Sequence, residues 1–284
     1  MNDILQNLSG KINASFIEAL LEIKGIAKGL DLDFIIVGAF ARDIVMEHLH
    51  KLPSQRLTQD IDVAVCVACW EEYGTLSDSL LSTGRFLKGD QKQRFIFKGR
   101  ATDRIIDIIP FGEISDHMSK IFWRPKQETI MTTLGFLEIY RNATTFRLNE
   151  TPILDVKVPT IPGLAAMKLL AWNEGYPDRG KDAEDLIFIM RNYHKAGIEE
   201  RLYGPEVDLL KDEGFYNEIA GIRLLGRDMA RLLGSESAGA IMTILNNEAG
   251  DICQFRLVNQ MVGTPLDVDS LMSRLEKLKQ GFQE

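Results

Sequence analysis

A chain of 284 residues, 45% of them hydrophobic, has enough apolar material for one large or two modest packed domains. Its formal net charge of −8 excludes a protein that binds nucleic acid by bulk positive charge alone. No window reaches the uninterrupted apolar length of a membrane span, and residues 1–30 lack a basic start followed by an apolar core, so neither a membrane segment nor a secretion signal is expected.

The first predicted element lies between Ser9 and Leu30. There Ile12, Phe16, Ala19, Leu20, Ile23, Ile26 and Ala27 recur at spacings of three and four, as on an amphipathic helix. An apolar run, Phe34 to Val37, breaks at Gly38-Ala39. A helix-like segment follows from Phe40 to about His50, then a polar loop with Pro53. Asp60-Ile61-Asp62 then leads a second apolar run, Val63 to Val65. This order reads as strand, turn, helix, strand. Side chains alternate on a strand, so Asp60 and Asp62 share one face and Ile61 and Val63 the other. Adjacent carboxylates repel, and a divalent cation between them would turn that repulsion into a site. Cys66 and Cys69 form a C-x-x-C with no second pair, and Cys253 is distant. They read as small buried hydrophobes rather than zinc or redox ligands, and so few cysteines suit a reducing, cytoplasmic setting. His48, His50, His117 and His194 are scattered, with no triad or ligand spacing.

A helix is predicted over Trp70 to Leu81. Beyond it, Arg85 to Arg104 holds seven Lys or Arg against two Asp in an otherwise acidic chain. Phe95–Phe97 and Ile105–Ile109, joined across Gly99 to Asp103, read as a hairpin. Asp107 is the one acid among four isoleucines there, and burying such a charge is costly without a partner. The basic stretch is open to two readings: a solvated edge guarded by lysines, or a basic rim for a triphosphate or a polyanionic acceptor. From Leu134 three more strands are expected, in GFLEIY, TFRL and ILDVKV. Pro159 and Pro162 end the strand region, and helices follow: Leu164 to Trp172, one after Arg179, Phe215 to Leu233, Gly239 to Asn247 and Asp269 to Gly281. The expected fold is α+β: a mixed β-sheet core flanked by helices over 1–158, then a helical domain over 159–284 ending in a bundle.

Gly38-Ala39, Asp60-Ile61-Asp62 and Asp107 together resemble the DNA polymerase β-like nucleotidyltransferase superfamily. Its pattern is an apolar strand, Gly with a small partner, a helix, Asp-x-Asp, and a later strand Asp. Two departures are visible: Ala39 stands where Gly or Ser is usual, and the spacing from Gly38 to Asp60 is longer than in compact members. The resemblance implies Asp60, Asp62 and Asp107 as catalytic ligands of two Mg2+ ions, with Mn2+ as a substitute, and an NTP such as ATP as substrate. The segment Val37 to Asp43 is also similar to the turn of tRNA CCA-adding enzymes and poly(A) polymerases. That nominates Arg42 as a nucleotide contact, with an internal ion pair as its alternative.

Lys168 is the lone charge in LAAMKLLAW, and Asp182 and Asp185 fall in the first turns of the helix after Arg179. Singly, these are a lysine stem lying along apolar surface and acids complementing a helix dipole. Together, Lys168 and Arg179-x-Lys181-Asp182-x-x-Asp185-Leu186 resemble the AbiEii family of nucleotidyltransferase toxins in type IV toxin–antitoxin systems. That resemblance spans roughly residues 33–191. It implies nucleotide binding and catalysis by Lys168 and Asp182, nucleotide binding by Asp185, and an antitoxin as partner, while the backbone N–H groups of Gly38 and Ala39, opening a helix, suit a nucleotide phosphate. The implied reaction moves a nucleoside monophosphate from an NTP to an acceptor hydroxyl. RNA, a tRNA end first, stands beside a small-molecule or protein hydroxyl and a non-catalytic relative as the open alternatives.

Overall fold

The computed structural model describes residues 6–53, 56, 58–123, 130–250, 253–261 and 266–284. The chain divides into two compact units, Met1–Thr160 and Ile161–Glu284.

The first unit is built on a mixed sheet of eight strands among the described residues. Chain order is β1 (Gln6–Asn7), α1 (Ala14–Gly29), β2 (Phe34–Val37) and α2 (Gly38–Arg42), which continues as a π-helical segment Asp43–Leu49; then come β3 (Ile61–Cys66) and α3 (Trp70–Ser82). Next are β4 (Phe86–Lys88), β5 (Arg94–Phe97), β6 (Arg104–Phe111), β7 (Lys120–Phe122), β8 (Ile130–Thr132), α4 (Phe136–Arg141), β9 (Thr144–Glu150) and β10 (Ile153–Val158). Across the sheet the order is β1-β9-β10-β2-β3-β6-β5-β4, while β7 and β8 pair separately. One face carries Ile61, Val63, Val65, Phe95, Phe97, Ile106 and Ile108, all fully buried. That face supplies the hydrophobic driving force, and it leaves Asp62 of β3, Arg94 and Ile96 of β5, and Ile105, Asp107 and Ile109 of β6 half-exposed.

One expected strand is a helix. Phe136–Arg141, the FLEIYR of GFLEIY, folds as α4 after Gly135 takes a left-handed backbone (φ 82°). Phe136, Ile139 and Tyr140 fit a strand's alternation poorly and a helix's three-and-four spacing well. Phe136 and Tyr140 pack on Phe111 with ring centroids 5.8 and 5.7 Å away. The cysteines are half-buried free thiols rather than core residues, and burial pushes the Cys66 thiol up, with Asp33, Glu113 and Glu72 adding to the effect.

The second unit is helical: α5 (Ile161–Glu174), α6 (Gly180–Asn192), a 3-10 turn Tyr193–Lys195, α7 (Glu199–Leu202), α8 (Val207–Asp212), α9 (Asn217–Leu232), α10 (Ser235–Glu248), α11 (Arg256–Gln260) and α12 (Val268–Gln283). Its core comes from apolar faces such as Ile222, Leu224, Leu225 and Met229 of α9 with Leu271, Leu275 and Leu278 of α12. Asp228 of α9 accepts from Tyr193 Oη (2.6 Å) and from both terminal nitrogens of Arg201 (2.8 Å each), tying the shorter helices to the bundle. No helix of the described residues is long and apolar enough to cross a membrane.

Candidate active site

The site residues of the first unit stand in one row across four strands. Val37 of β2 pairs with Asp62 of β3, Asp62 with Asp107 of β6, and Asp107 with Arg94 of β5. Directly opposed residues share a face, so Asp62, Asp107 and Arg94 stand side by side on neighbouring strands about 5 Å apart. Asp60 lies immediately before the strand, which begins at Ile61.

At the end of the row the chain turns through Gly38. Its backbone is left-handed (φ 72°), and a Cβ there would meet Asp62 Oδ2 at 1.9 Å. Only glycine lets the turn and the Asp62 carboxylate occupy this corner together. Ala39 follows as the second residue of α2. Arg42 is 1% exposed, and its Nε and Nη2 donate to Asp43 Oδ1 at 2.9 and 2.5 Å. Thr58 donates to the other Asp43 oxygen. Arg42 thus sits in an internal ion pair, with its helical neighbour Asp43 rather than with an acid of the sheet, and the pair fastens the helix that follows the turn.

Asp107 gives both of its oxygens to Arg94: Nε donates to Oδ1 at 2.9 Å and Nη2 to Oδ2 at 2.8 Å. The Arg94 guanidinium is held further above its ordinary range, first by these hydrogen bonds, with the charges of Asp107, Asp90 and Asp60 adding to the effect. Hard carboxylate oxygens on adjacent strands, in a corner cleared by Gly38, suit a divalent cation such as Mg2+. Among the described residues no group of three or more His, Cys, Asp or Glu is gathered round one point for a metal ion, and Arg94 is the partner that Asp107 has instead.

The residues named in the second unit also meet. Lys168 Nζ donates to Asp182 Oδ1 at 2.8 Å and lies 2.7 Å from Asp185 Oδ2, while Arg179 Nε is 2.7 Å from Asp182 Oδ2. The Lys168 side chain is 8% exposed, against 52% for Arg179. The lysine amine is therefore inside the protein at the α5–α6 seam, not in water at the end of a snorkelling stem.

The basic stretch is largely neutralised from within. Arg85 pairs with Glu18 and Glu22 of α1, Lys98 with Asp103, Arg100 with Glu18, and Arg94 with Asp107. Lys92 donates to the Trp123 carbonyl at 3.0 Å, and Lys88 lies 4.1 Å over the Phe95 ring. Counting charges along the sequence missed this, because the compensating acids sit on α1 and across the hairpin. Arg94, the partner of Asp107, was hidden in that count. Once Phe97 faces Arg104 across the hairpin turn, three steps along each strand put Arg94 opposite Asp107.

The family model described as nucleotidyl transferase AbiEii toxin, type IV TA system, matches residues 25–223, most of the chain and parts of both units. The chain belongs to the AbiEii family. It is a nucleotidyltransferase. Solved structures similar to it include an antigenic nucleotidyltransferase-like protein from Paracoccidioides brasiliensis, at 16% identity and TM-score 0.41 over 72% of this chain and 92% of that one. The antibiotic-resistance factor ANT(2'')-Ia in solution matches at 13% identity and TM-score 0.35, over 72% of this chain and 98% of that one. The Thermotoga maritima CCA-adding enzyme complexed with tRNA matches at 12% identity and TM-score 0.33, over 97% and 82%. No curated protein matches the chain.

Proposed function

We propose that this AbiEii-family chain transfers a nucleoside monophosphate from an NTP, ATP included, to a hydroxyl at an RNA end, a tRNA 3′ end foremost, in a magnesium-dependent reaction. The observation that carries the reading is the Asp62–Asp107 row beside the Gly38 corner. Asp60, Asp62 and Asp107 would hold Mg2+, or Mn2+ in its place, which supplies positive charge at the phosphates and lowers the pKa of the acceptor hydroxyl. The acceptor oxygen bonds to the α-phosphorus as the bond to the bridging oxygen breaks, and pyrophosphate leaves. The backbone N–H groups of the Gly38-Ala39 turn suit a phosphate oxygen, and no Gly38 side chain obstructs the Asp62 carboxylate. Arg42 and Asp43 brace that turn from inside. Lys168, Asp182 and Asp185 neutralise one another, and we assign them the task of fixing the α5–α6 seam on which nucleotide binding by the helical unit depends. Family membership implies a cognate antitoxin as a further partner.

A second reading has an observation of its own. Because carboxylates within the chain already engage Arg85, Arg94, Lys98 and Arg100, a small-molecule or protein hydroxyl is favoured over a long polyanion as alternative acceptor. Incubation with each α-labelled NTP, Mg2+ and either total RNA or RNase-treated lysate separates the two. Label in RNA is expected. Label confined to the RNase-treated fraction transfers the assignment to the second reading, and no labelling under any combination overturns the proposal.

A further inference from the structure

The turn before β5 is shaped around one side chain. Gly89 donates its N–H to the Arg94 carbonyl at 2.9 Å, and a Cβ on Gly89 would lie 2.5 Å from Arg94 Cγ and 3.0 Å from its Cβ. Gly89 is therefore a clearance for the Arg94 stem, which runs to Asp107 and ends in a two-pronged hydrogen bond. Asp90, 3.8 Å from Nη1, stands on the other side of the guanidinium. The pair is not sealed: the Arg94 side chain is 24% exposed and that of Asp107 14%. A fork on a carboxylate takes one lone pair of each oxygen and puts a positive charge where a cation would sit.

We infer that Arg94 is a phosphate-binding residue held in reserve: it neutralises Asp107 until a divalent cation takes that carboxylate, and its freed guanidinium then binds the triphosphate. The inference rests on the proposed metal role of Asp62 and Asp107. The two cations compete for the same oxygens, and the site carries a compensating positive charge at each stage. A guanidinium fork matches phosphate as well as carboxylate, so the released group loses little by changing partner. Leaving two neighbouring carboxylates without any cation costs more than either arrangement, which is the physical reason for a resident arginine beside a row of acids.

The test is a titration of Mg2+ alone, by calorimetry and by thermal melt, on the wild type, R94Q, R94K and D62N. It is followed by binding of a non-hydrolysable NTP analogue with Mg2+ present. R94Q is expected to melt below wild type without metal and to recover with Mg2+. It should bind Mg2+ about tenfold more tightly and the analogue about tenfold more weakly, each corresponding to about 1.4 kcal/mol. R94K keeps the charge and stem but loses the fork, and falls between the two; it carries the test if R94Q does not fold. Unchanged or weaker Mg2+ binding in R94Q, or analogue binding equal to wild type, overturns the inference. Mg2+ binding that survives in D62N overturns the metal reading itself. Binding lost in D62N but identical in wild type and R94Q removes only the role of Arg94.

Discussion

Each unit of this molecule holds two carboxylates against basic side chains, and the two clusters are built for different ends. In the sheet, Asp62 and Asp107 stand on a half-exposed face with Arg94 as a partner that solvent can reach. In the helical unit, Lys168 is enclosed with Asp182 and Asp185, and only Arg179 reaches outward. A partly exposed pair can exchange partners with ions from solvent, whereas a cation enclosed as Lys168 is cannot be removed without leaving buried charge behind. Resemblance placed Asp60, Asp62, Asp107 and Asp182 under catalysis and Asp185 under nucleotide binding. On the function proposed above, the lysine's enclosure separates them: an exchangeable partner on the sheet, a fixed frame at the α5–α6 seam.

The largest expected effect comes from breaking the enclosed cluster. K168M keeps the length of the stem but removes the cation shared by two buried carboxylates, and should cost about 3–5 kcal/mol of stability in chemical denaturation. Loss of transfer activity should follow the loss of fold. A K168M protein that melts like wild type would place that cluster in the exchangeable class as well.

A smaller effect is expected at the turn beside the sheet cluster. In G38A the new methyl group meets Asp62 and the backbone stays left-handed, a strain of about 1–3 kcal/mol. The displaced carboxylate should lower kcat by about a hundredfold, the scale of a 1 Å misplacement at a reacting centre. Full activity in G38A would detach Asp62 from the chemistry.

The smallest effect concerns the hairpin. Lys98 and Arg100 already face Asp103 and Glu18, so K98S/R100S should change the salt slope of RNA binding by less than about one unit, the contribution of one phosphate contact. A drop of about two units would show that both side chains leave their internal partners for the acceptor and that the hairpin belongs to the site.

Much of this arrangement was legible in residue order. The apolar runs Phe34–Val37 and Val63–Val65, the break at Gly38 and the acids leading the second run all carry physical reasons that need no third dimension. Hydrophobic periodicity likewise marked α1, because it buries a single stripe, and helices were expected where α3, α9 and α12 lie. What escaped was pairing across elements. Arg94 looked like one more cation of a basic stretch until strand register set it against Asp107. Lys168 looked solvated because nothing in its own segment shows that α6 brings Asp182 and Asp185 to its amine. The α4 segment was read as a strand because a short apolar run fits either period, and the left-handed Gly135 and the packing on Phe111 decide it.

The measurement that tests the central claim most directly compares D62N and D107N with the wild type, in labelled-NTP transfer and in thermal unfolding under identical conditions. With the sheet row as the reacting centre, both variants should lose transfer by at least about a thousandfold, roughly 4 kcal/mol of transition-state stabilisation. D62N should stay folded, since the change is isosteric and Arg94 keeps both hydrogen bonds to Asp107. D62N that unfolds, or that still transfers nucleotide at the wild-type rate, would contradict the account.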